Sequence, residues 1–292
     1  MRTEEIFDET CAWIQKKENK IWIHVLVAGI GFVMIYPLLW LLASAFKRND
    51  EIFKSIDLIP TVYNFQAFRD GWKAVGDYTF ATFFKNSFLI VVPVVIFTVI
   101  SVLLVAYGFA RFRFPLKKVF FMMMISTMIV PASVLTIPTY VMFRSFGWID
   151  TYYPLIVPSL FATKGFFVFM MIQFFRGIPK EIDEAAKIDG CNSLQILVQI
   201  LTPLCKPAIF SVIIFRFMWT WNDFFTDLIY INSVRKYPVS LGLRMAVDNT
   251  AGTVAWNNIM AMSVISILPP LILYFVAQDY FVEGIATSGL KG

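Results

Sequence analysis

A chain of 292 residues that is 58% hydrophobic, 17% aromatic and only 15% charged departs from soluble domains, which carry roughly 45–50% apolar and about 25% charged residues. Lipid is therefore the expected solvent, and no polar stretch is long enough to hold a separate soluble domain. The net charge of +5 fits Lys and Arg kept in cytoplasmic loops better than a nucleic-acid surface, and a single histidine, His24, with three cysteines at no ligand spacing, Cys11, Cys191 and Cys205, argues against a metal site or a histidine-based triad.

A membrane helix needs about 20 mostly apolar residues to cross roughly 30 Å of hydrocarbon. After a charged N-terminal segment, 1–20, six stretches meet that length: 21–46, 84–110, 119–143, 152–175, 203–231 and 258–281. The first ends in Ala43-Ser44-Ala45, which looks like a signal cleavage site. Its apolar run is about twice the usual signal core, so it reads as a retained helix. Polar segments 47–83 and 232–257 are the long external candidates.

Lys and Arg in short loops set the orientation. The turn 111–118 carries Arg111, Arg113, Lys117 and Lys118 and no acid, whereas 144–151 carries Arg144 alone. Residues 111–118 are expected in the cytoplasm, and six spans then place both termini there. Pro131 and Pro138 in the third span and Pro269-Pro270 in the sixth remove backbone donors, which is tolerated at membrane depth where neighbours satisfy the freed carbonyls. Lys164, in the fourth span, reads as a residue that snorkels or pairs locally.

The segment 177–190 is not a plain connector. Pro179 suits a first helical position, Glu181, Asp183 and Glu184 favour the positive end of a helix, and Asp183 with Lys187 forms an i,i+4 pair. Gly190 supplies a left-handed closing residue, and Asn192 or Ser193 can cap the next helix. Small Ala185 and Ala186 beside charged Glu184 let another surface approach closely. On these features alone the segment is either a docking helix or a solvated connector.

This segment resembles the EAA loop of ABC importer permeases: Glu-Ala-Ala, three residues, Gly, nine residues, Ile, one residue, Leu-Pro. Here the pattern reads Glu184-Ala185-Ala186, Gly190, Ile200 and Thr202-Pro203, with Thr202 as the departure. The run 106–115, Ile137-Pro138-Thr139-Tyr140, Trp221-Asn222-Asp223-Phe224 and the ending Gly289-Leu290-Lys291-Gly292 resemble the carbohydrate class. From about residue 80 to the end they resemble the maltose-transporter type, the smaller, six-helix one of two paired permeases. The resemblance implies an all-α polytopic membrane protein of six transmembrane helices, with a cytoplasmic coupling helix between spans four and five. It implies one importer transmembrane domain over 1–292, with its core at 80–292.

Further expectations follow from the same resemblance. A second permease completes a heterodimer, a cytoplasmic ATPase dimer binds ATP and Mg, and an external solute-binding protein delivers a sugar or oligosaccharide. Glu184, Ala185, Ala186, Asp189 and Gly190 would meet the ATPase, and a tail at Gly289, Lys291 and Gly292 would reach towards its interface. The location would be a bacterial cytoplasmic membrane, with no cofactor, catalytic residue or nucleic acid bound by this chain.

Ionisable groups inside a span usually face a bundle interior or water. At about 100° per residue, Arg216, Thr220, Asp223 and Asp227 fall on one narrow stripe of the fifth span. Trp219 and Trp221 offer ring faces for a sugar, Asn222 lies off the stripe, and Asn86 is a weaker candidate in the second span. Arg216, Thr220, Trp221, Asn222, Asp223, Asp227 and Asn86 thus make the candidate translocation path. The alternative is that Arg216 and Asp223 satisfy each other and only hold the bundle.

No Gly-x-x-x-x-Gly-Lys-Ser/Thr phosphate loop is present, so energy for transport must come from another chain. A permease for a non-sugar solute is compatible with the same features. An ion-driven secondary transporter would use Asp223 as its coupling site and leave the docking segment unexplained. An intramembrane enzyme lacks the paired carboxylates or metal motif it would need.

Overall fold

The computed structural model describes residues 19–54, 57–73, 77–248 and 254–289, whose regular elements are all helices, with no strand among them. The protein is an all-α polytopic membrane protein. Among the described residues, four helical stretches are long and apolar enough to cross a membrane: Trp22–Ser44, Phe80–Arg111, Tyr153–Gly177 and Trp256–Gln278. The number rises to six if each of two sharply bent helix pairs counts as one span. The chain divides into two compact units, Met1–Asp70 with Ala255–Val264, and Gly71–Val254 with Ile265–Gly292.

In the first unit, α1 (Asn19–Ser44) is strongly apolar, and from Trp22 to Ala43 none of its residues is buried. Such a helix requires lipid or a neighbouring helix as its solvent. Just beyond it the chain turns back on itself. Phe46 gathers Tyr63, Phe65 and Phe68 at ring-centroid distances of 6.4, 5.3 and 5.1 Å. Lys47, fully buried, donates to the Asp57 carbonyl at 2.5 Å.

The second unit is built around α2 (Phe80–Arg111), whose C-terminal half packs against α5 (Gly165–Gly177). Val102, Ala106 and Tyr107 of α2 meet Phe167, Val168, Met171, Ile172 and Phe175 of α5 in one buried cluster. Gly165 allows α5 to approach α3 (Lys117–Ile129). A Cβ there would lie 3.1 Å from the Met124 carbonyl oxygen.

The expected third span is two helices, α3 and α4 (Ala132–Ser145), bent by 104°. Pro131 at the break has no N–H, and Val130 before it is extended as a residue preceding proline prefers. The fourth begins as a short turn, Tyr153–Ile156, tightens over Val157–Phe161 and passes left-handed Ala162 before α5.

After α5 come α6 (Lys180–Ile188), α7 (Ser193–Leu204) and α8 (Lys206–Trp221), the last two bent by 83°. The continuous helix expected over 203–231 is therefore corrected. It ends at Trp221, and after residues 222–224 a separate α9 (Phe225–Tyr230) begins. The side chains explain the break: Asn222 Nδ2 turns back to the Met218 carbonyl, and Asp223 Oδ1 accepts from Thr226 N. Helix α10 (Val239–Asp248) follows, and α11 (Trp256–Gly289) runs on through Pro269 and Pro270.

Candidate functional sites: a helix at one end and a cavity at the other

Helix α6 begins one residue later than the proline rule suggests, with Pro179 in the capping position. It closes as a Schellman motif: Cys191 N bonds the Ala186 carbonyl, Gly190 N bonds Lys187, and Gly190 has φ +84°. Asn192 and not Ser193 starts α7. Its side chain accepts from Gln195 N while Gln195 Oε1 accepts from Asn192 N, a reciprocal capping box. The middle of α7, Ile196–Leu201, is wound wider as a π-helix. Thr202, the departure from the EAA pattern, stabilises that winding with both its backbone N–H and its hydroxyl on the Leu197 carbonyl.

One expectation for this segment is overturned. Asp183 does not pair with Lys187; its carboxylate turns inward and lies 2.6 Å from Arg111 Nε, both side chains over nine-tenths buried. Arg111 Nη2 also donates to the Ile178 carbonyl at 3.0 Å. The last residue of α2 thus grips both ends of the approach to α6. Ala186 joins the core beside it, while Glu184, Ala185, Asp189 and Gly190 face outward. Ile188 is 88% exposed, and Leu194 is exposed next to it.

The second feature is a cavity of about 780 Å³ between α4, the turn 154–163, α8 and α9. Arg216, Thr220, Asp223 and Asp227 all line it, in spite of the break in the helix that carries them. Lys164 is on the same wall, as are Thr136, Thr139 and Thr163. Tyr230, Phe143 and Trp148 form an aromatic shelf, with Phe143 and Trp148 stacked at 5.5 Å. Arg216 is not paired to Asp223: its Nε donates to Thr98 Oγ1 and its Nη2 to Ser159 Oγ. Asp227 accepts from the Ser240 hydroxyl at 3.2 Å. The Thr220 hydroxyl is buried without a hydrogen-bond partner among the described residues.

Three residues of the expected path are elsewhere. Trp221 is buried, donates Nε1–H to the Ser266 carbonyl and packs on Phe84, Phe88 and Phe217, so it serves as structure. Asn222 is spent on its own helix end. Asn86 donates to the carbonyls of Arg235 and Tyr237, fixing the segment before α10. Of the expected tail, Gly289 ends α11, while Lys291 and Gly292 lie outside the described residues, as does 1–18 of the N-terminal segment.

Sequence reasoning missed Asp150. This residue adopts φ +59°, which Asp tolerates better than most side chains, and its carboxylate accepts from Asn232 N, Ser233 N, Ser233 Oγ and Lys236 Nζ at 3.0, 2.8, 2.5 and 2.9 Å. Lys236 Nζ also donates to the Asp150 carbonyl. Partial burial pushes its carboxyl up, but the bonds from Ser233, Lys236 and Asn232 outweigh that and hold it well below the usual carboxylate range. The local signal was a Gly147-Trp148-Ile149-Asp150 turn; the partners some eighty residues on gave none.

Apolar helices around a largely apolar cavity that carries a few charged and hydroxyl groups, with a capped helix projecting a small-residue face from one end, define a membrane-embedded transport subunit. Residues 103–287 match the family of binding-protein-dependent transport system inner membrane components. The chain belongs to that family, and is a permease subunit of a binding-protein-dependent ABC importer. It is 30% identical over 275 residues to a probable ABC transporter permease, YurM of Bacillus subtilis, covering 94% of this chain and 89% of that one. It is 29% identical to the sn-glycerol-3-phosphate transport system permease UgpE of Rhizobium meliloti over 269 residues, covering 90% and 94%. The diacetylchitobiose uptake system permease NgcG of Streptomyces coelicolor is 27% identical over 255 residues, covering 87% and 83%. In fold, the chain is similar to a chain of a bacterial ABC transporter involved in import of the acidic polysaccharide alginate. That TM-score is 0.78 at 24% identity, covering 96% and 98%.

Proposed function

We propose that this subunit translocates a sugar or oligosaccharide through the cavity, driven by ATP hydrolysed on a partner docked at α6. The diacetylchitobiose uptake permease among the relatives supports the substrate class, and the sn-glycerol-3-phosphate permease extends it to a phosphorylated polyol. The observation that carries the docking reading is the outward face of Glu184, Ala185 and exposed Ile188 on a helix whose opposite face is locked by Arg111. Asp189 and Gly190 complete that face. Both termini and the 111–118 turn are cytoplasmic in this reading, a second permease pairs with the chain, and an external binding protein delivers solute. ATP and Mg bind the partner ATPase, and this chain needs no cofactor.

The chain's own chemistry is then a moving seat. A ligand shifts an equilibrium only through differential affinity for two states, so nucleotide-driven closure must act where the partner touches α6. Because Arg111 joins α6 to the end of α2, displacement of the one carries the other. At the cavity, Arg216, Asp223, Asp227 and the threonine hydroxyls supply donors and acceptors suited to a hydroxyl-rich solute, with aromatic faces opposite.

The unpartnered Thr220 hydroxyl gives the sharpest test. Thr220→Val keeps its shape and removes the hydrogen bond that this hydroxyl would make to the solute, worth about 0.5–1.5 kcal/mol. Uptake of the sugar is expected to show a KM raised about two- to tenfold, with the amount of assembled importer unchanged. An unaltered KM would remove the cavity from the path.

A further inference from the structure

Docking and transport leave one charged feature unused. Arg113, Lys117 and Lys118, from the turn after α2, meet Arg176, in the last turn of α5, around a pocket of about 600 Å³. Phe114, Leu116 and Phe121 make up the rest of its lining, so four cations face one space with no carboxylate on its wall. None of the four makes an ion pair among the described residues. Lys117 Nζ donates to the Phe112 carbonyl and lies 5.9 Å from the centre of the Phe114 ring, and the Arg176 guanidinium lies 5.4 Å from that of Phe121. Lys117 is also within electrostatic reach of Lys180.

Cations gathered this closely repel one another unless they share an anion. The pocket's depth identifies the anion's surroundings. It lies where α2 ends, α3 begins and α5 ends, at the level of the span ends. From there α3 presents Phe120, Met122 and Met123 outward, each at least half exposed. A band of charge followed directly by a bare apolar helix face matches a phosphate headgroup with its acyl chains, not a free anion. Basic pockets between helices at the cytoplasmic interface are suited to such headgroups. We infer that this pocket holds the phosphate of an anionic phospholipid, tying α3 to α5 beside the Arg111–Asp183 pair. The inference rests on the reading that places residues 111–118 in the cytoplasm.

Native mass spectrometry of the detergent-purified importer, titrated with phosphatidylglycerol or phosphatidylcholine, tests it. Phosphatidylglycerol should be retained in preference. Arg113→Gln/Lys117→Gln/Lys118→Gln should weaken its retention about a hundredfold, and Arg176→Gln alone, the milder change should the triple variant fail to fold, about fivefold. Arg235→Gln/Arg244→Gln, which removes charge at the opposite end, should leave it unchanged. Equal retention of the two lipids, or affinity unchanged in both pocket variants, overturns the proposal. Displacement of the lipid by millimolar inorganic phosphate assigns the site to free phosphate and overturns it too. Loss of ATPase co-purification with lipid retention intact reassigns the patch to an acidic protein surface. The orientation is read separately: in a chain whose Cys11, Cys191 and Cys205 are replaced by Ala, Lys118→Cys should react with a membrane-impermeant maleimide only in inside-out vesicles. Labelling from the other face would overturn the orientation and with it the cytoplasmic placement of the lipid, while retention in detergent, which does not depend on the orientation, reads the pocket by itself.

Discussion

Arg111 is one residue with two tasks. It ends the longest helix of the second unit and holds the only buried ion pair among the described residues. Removing one partner of such a pair leaves the other charge buried and uncompensated, at a cost of about 3–5 kcal/mol. Arg111→Ala or Asp183→Ala is therefore expected to lower the thermal unfolding midpoint in detergent and to abolish uptake. The exchange Arg111→Asp/Asp183→Arg should recover part of both. Uptake and stability unaffected by either single change would show that the pair holds nothing. In the sequence, both residues were visible as charges near span ends, but Asp183 has a nearer cation in Lys187. Only the packing of α6 on α2 shows that the distant partner wins.

Asp150 works at the opposite end of the unit by hydrogen bonding. A carboxyl held below its usual range contributes stability that is fully present above the unfolded value, about 3.9, and lost as the pH falls towards the lower folded value. The wild-type protein should thus lose this anchoring only under acid, below about pH 4. Asp150→Asn should be less stable at neutral pH and show a flatter acid limb in thermal melts. An acid limb identical to that of the wild type would remove Asp150 from this role.

Among the elements, the close approaches are set by the smallest side chains. A Cβ on Gly242 of α10 would fall 2.4 Å from the Phe83 ring of α2, and Phe83 is fully buried with no room to turn aside. Overpacking of this kind costs about 1–3 kcal/mol, so Gly242→Ala should lower the melting temperature by several degrees. An unchanged melt would show that α2 and α10 do not hold this contact. Helix by helix, the sequence reading was sound where a span stands alone: 21–46 and 84–110 compare with Asn19–Ser44 and Phe80–Arg111. The local chemistry of α6 and α7 was equally legible, since a left-handed Gly190 and a cap at Asn192 are dictated by neighbouring residues.

The breaks were not legible. Each of 119–143 and 203–231 is apolar enough to read as one span, whereas bends of 104° and 83° depend on what receives the freed backbone groups. The cavity lining was read in part for the same reason. Arg216, Thr220, Asp223 and Asp227 were found from helical spacing, and they still converge because the break after Trp221 keeps α9 on the same wall. Trp221, Asn222 and Asn86 could not be separated from them, because their partners, Ser266, Met218 and the carbonyls of Arg235 and Tyr237, become visible only in the folded chain.

At the scale of the whole molecule, this chain transports only as part of an assembly. In the proposed reading it carries a cavity, a seat for a partner at α6 and a buried ion pair linking α2 to α6, and its sequence has no Gly-x-x-x-x-Gly-Lys-Ser/Thr phosphate loop. Its belonging to the family of binding-protein-dependent inner membrane components agrees with that division of labour. Glu184 makes no buried contact, so reversing its charge should leave the fold intact and disturb docking alone. The most direct measurement is affinity purification of the chain from its native membrane, in wild-type and Glu184→Lys forms, with the co-purifying proteins identified by mass spectrometry. The wild type should bring down a second permease and an ATPase, and the variant should keep the permease and lose the ATPase. An ATPase retained undiminished by the variant, or absent from a wild-type preparation that still transports on an ion gradient, would contradict docking at α6.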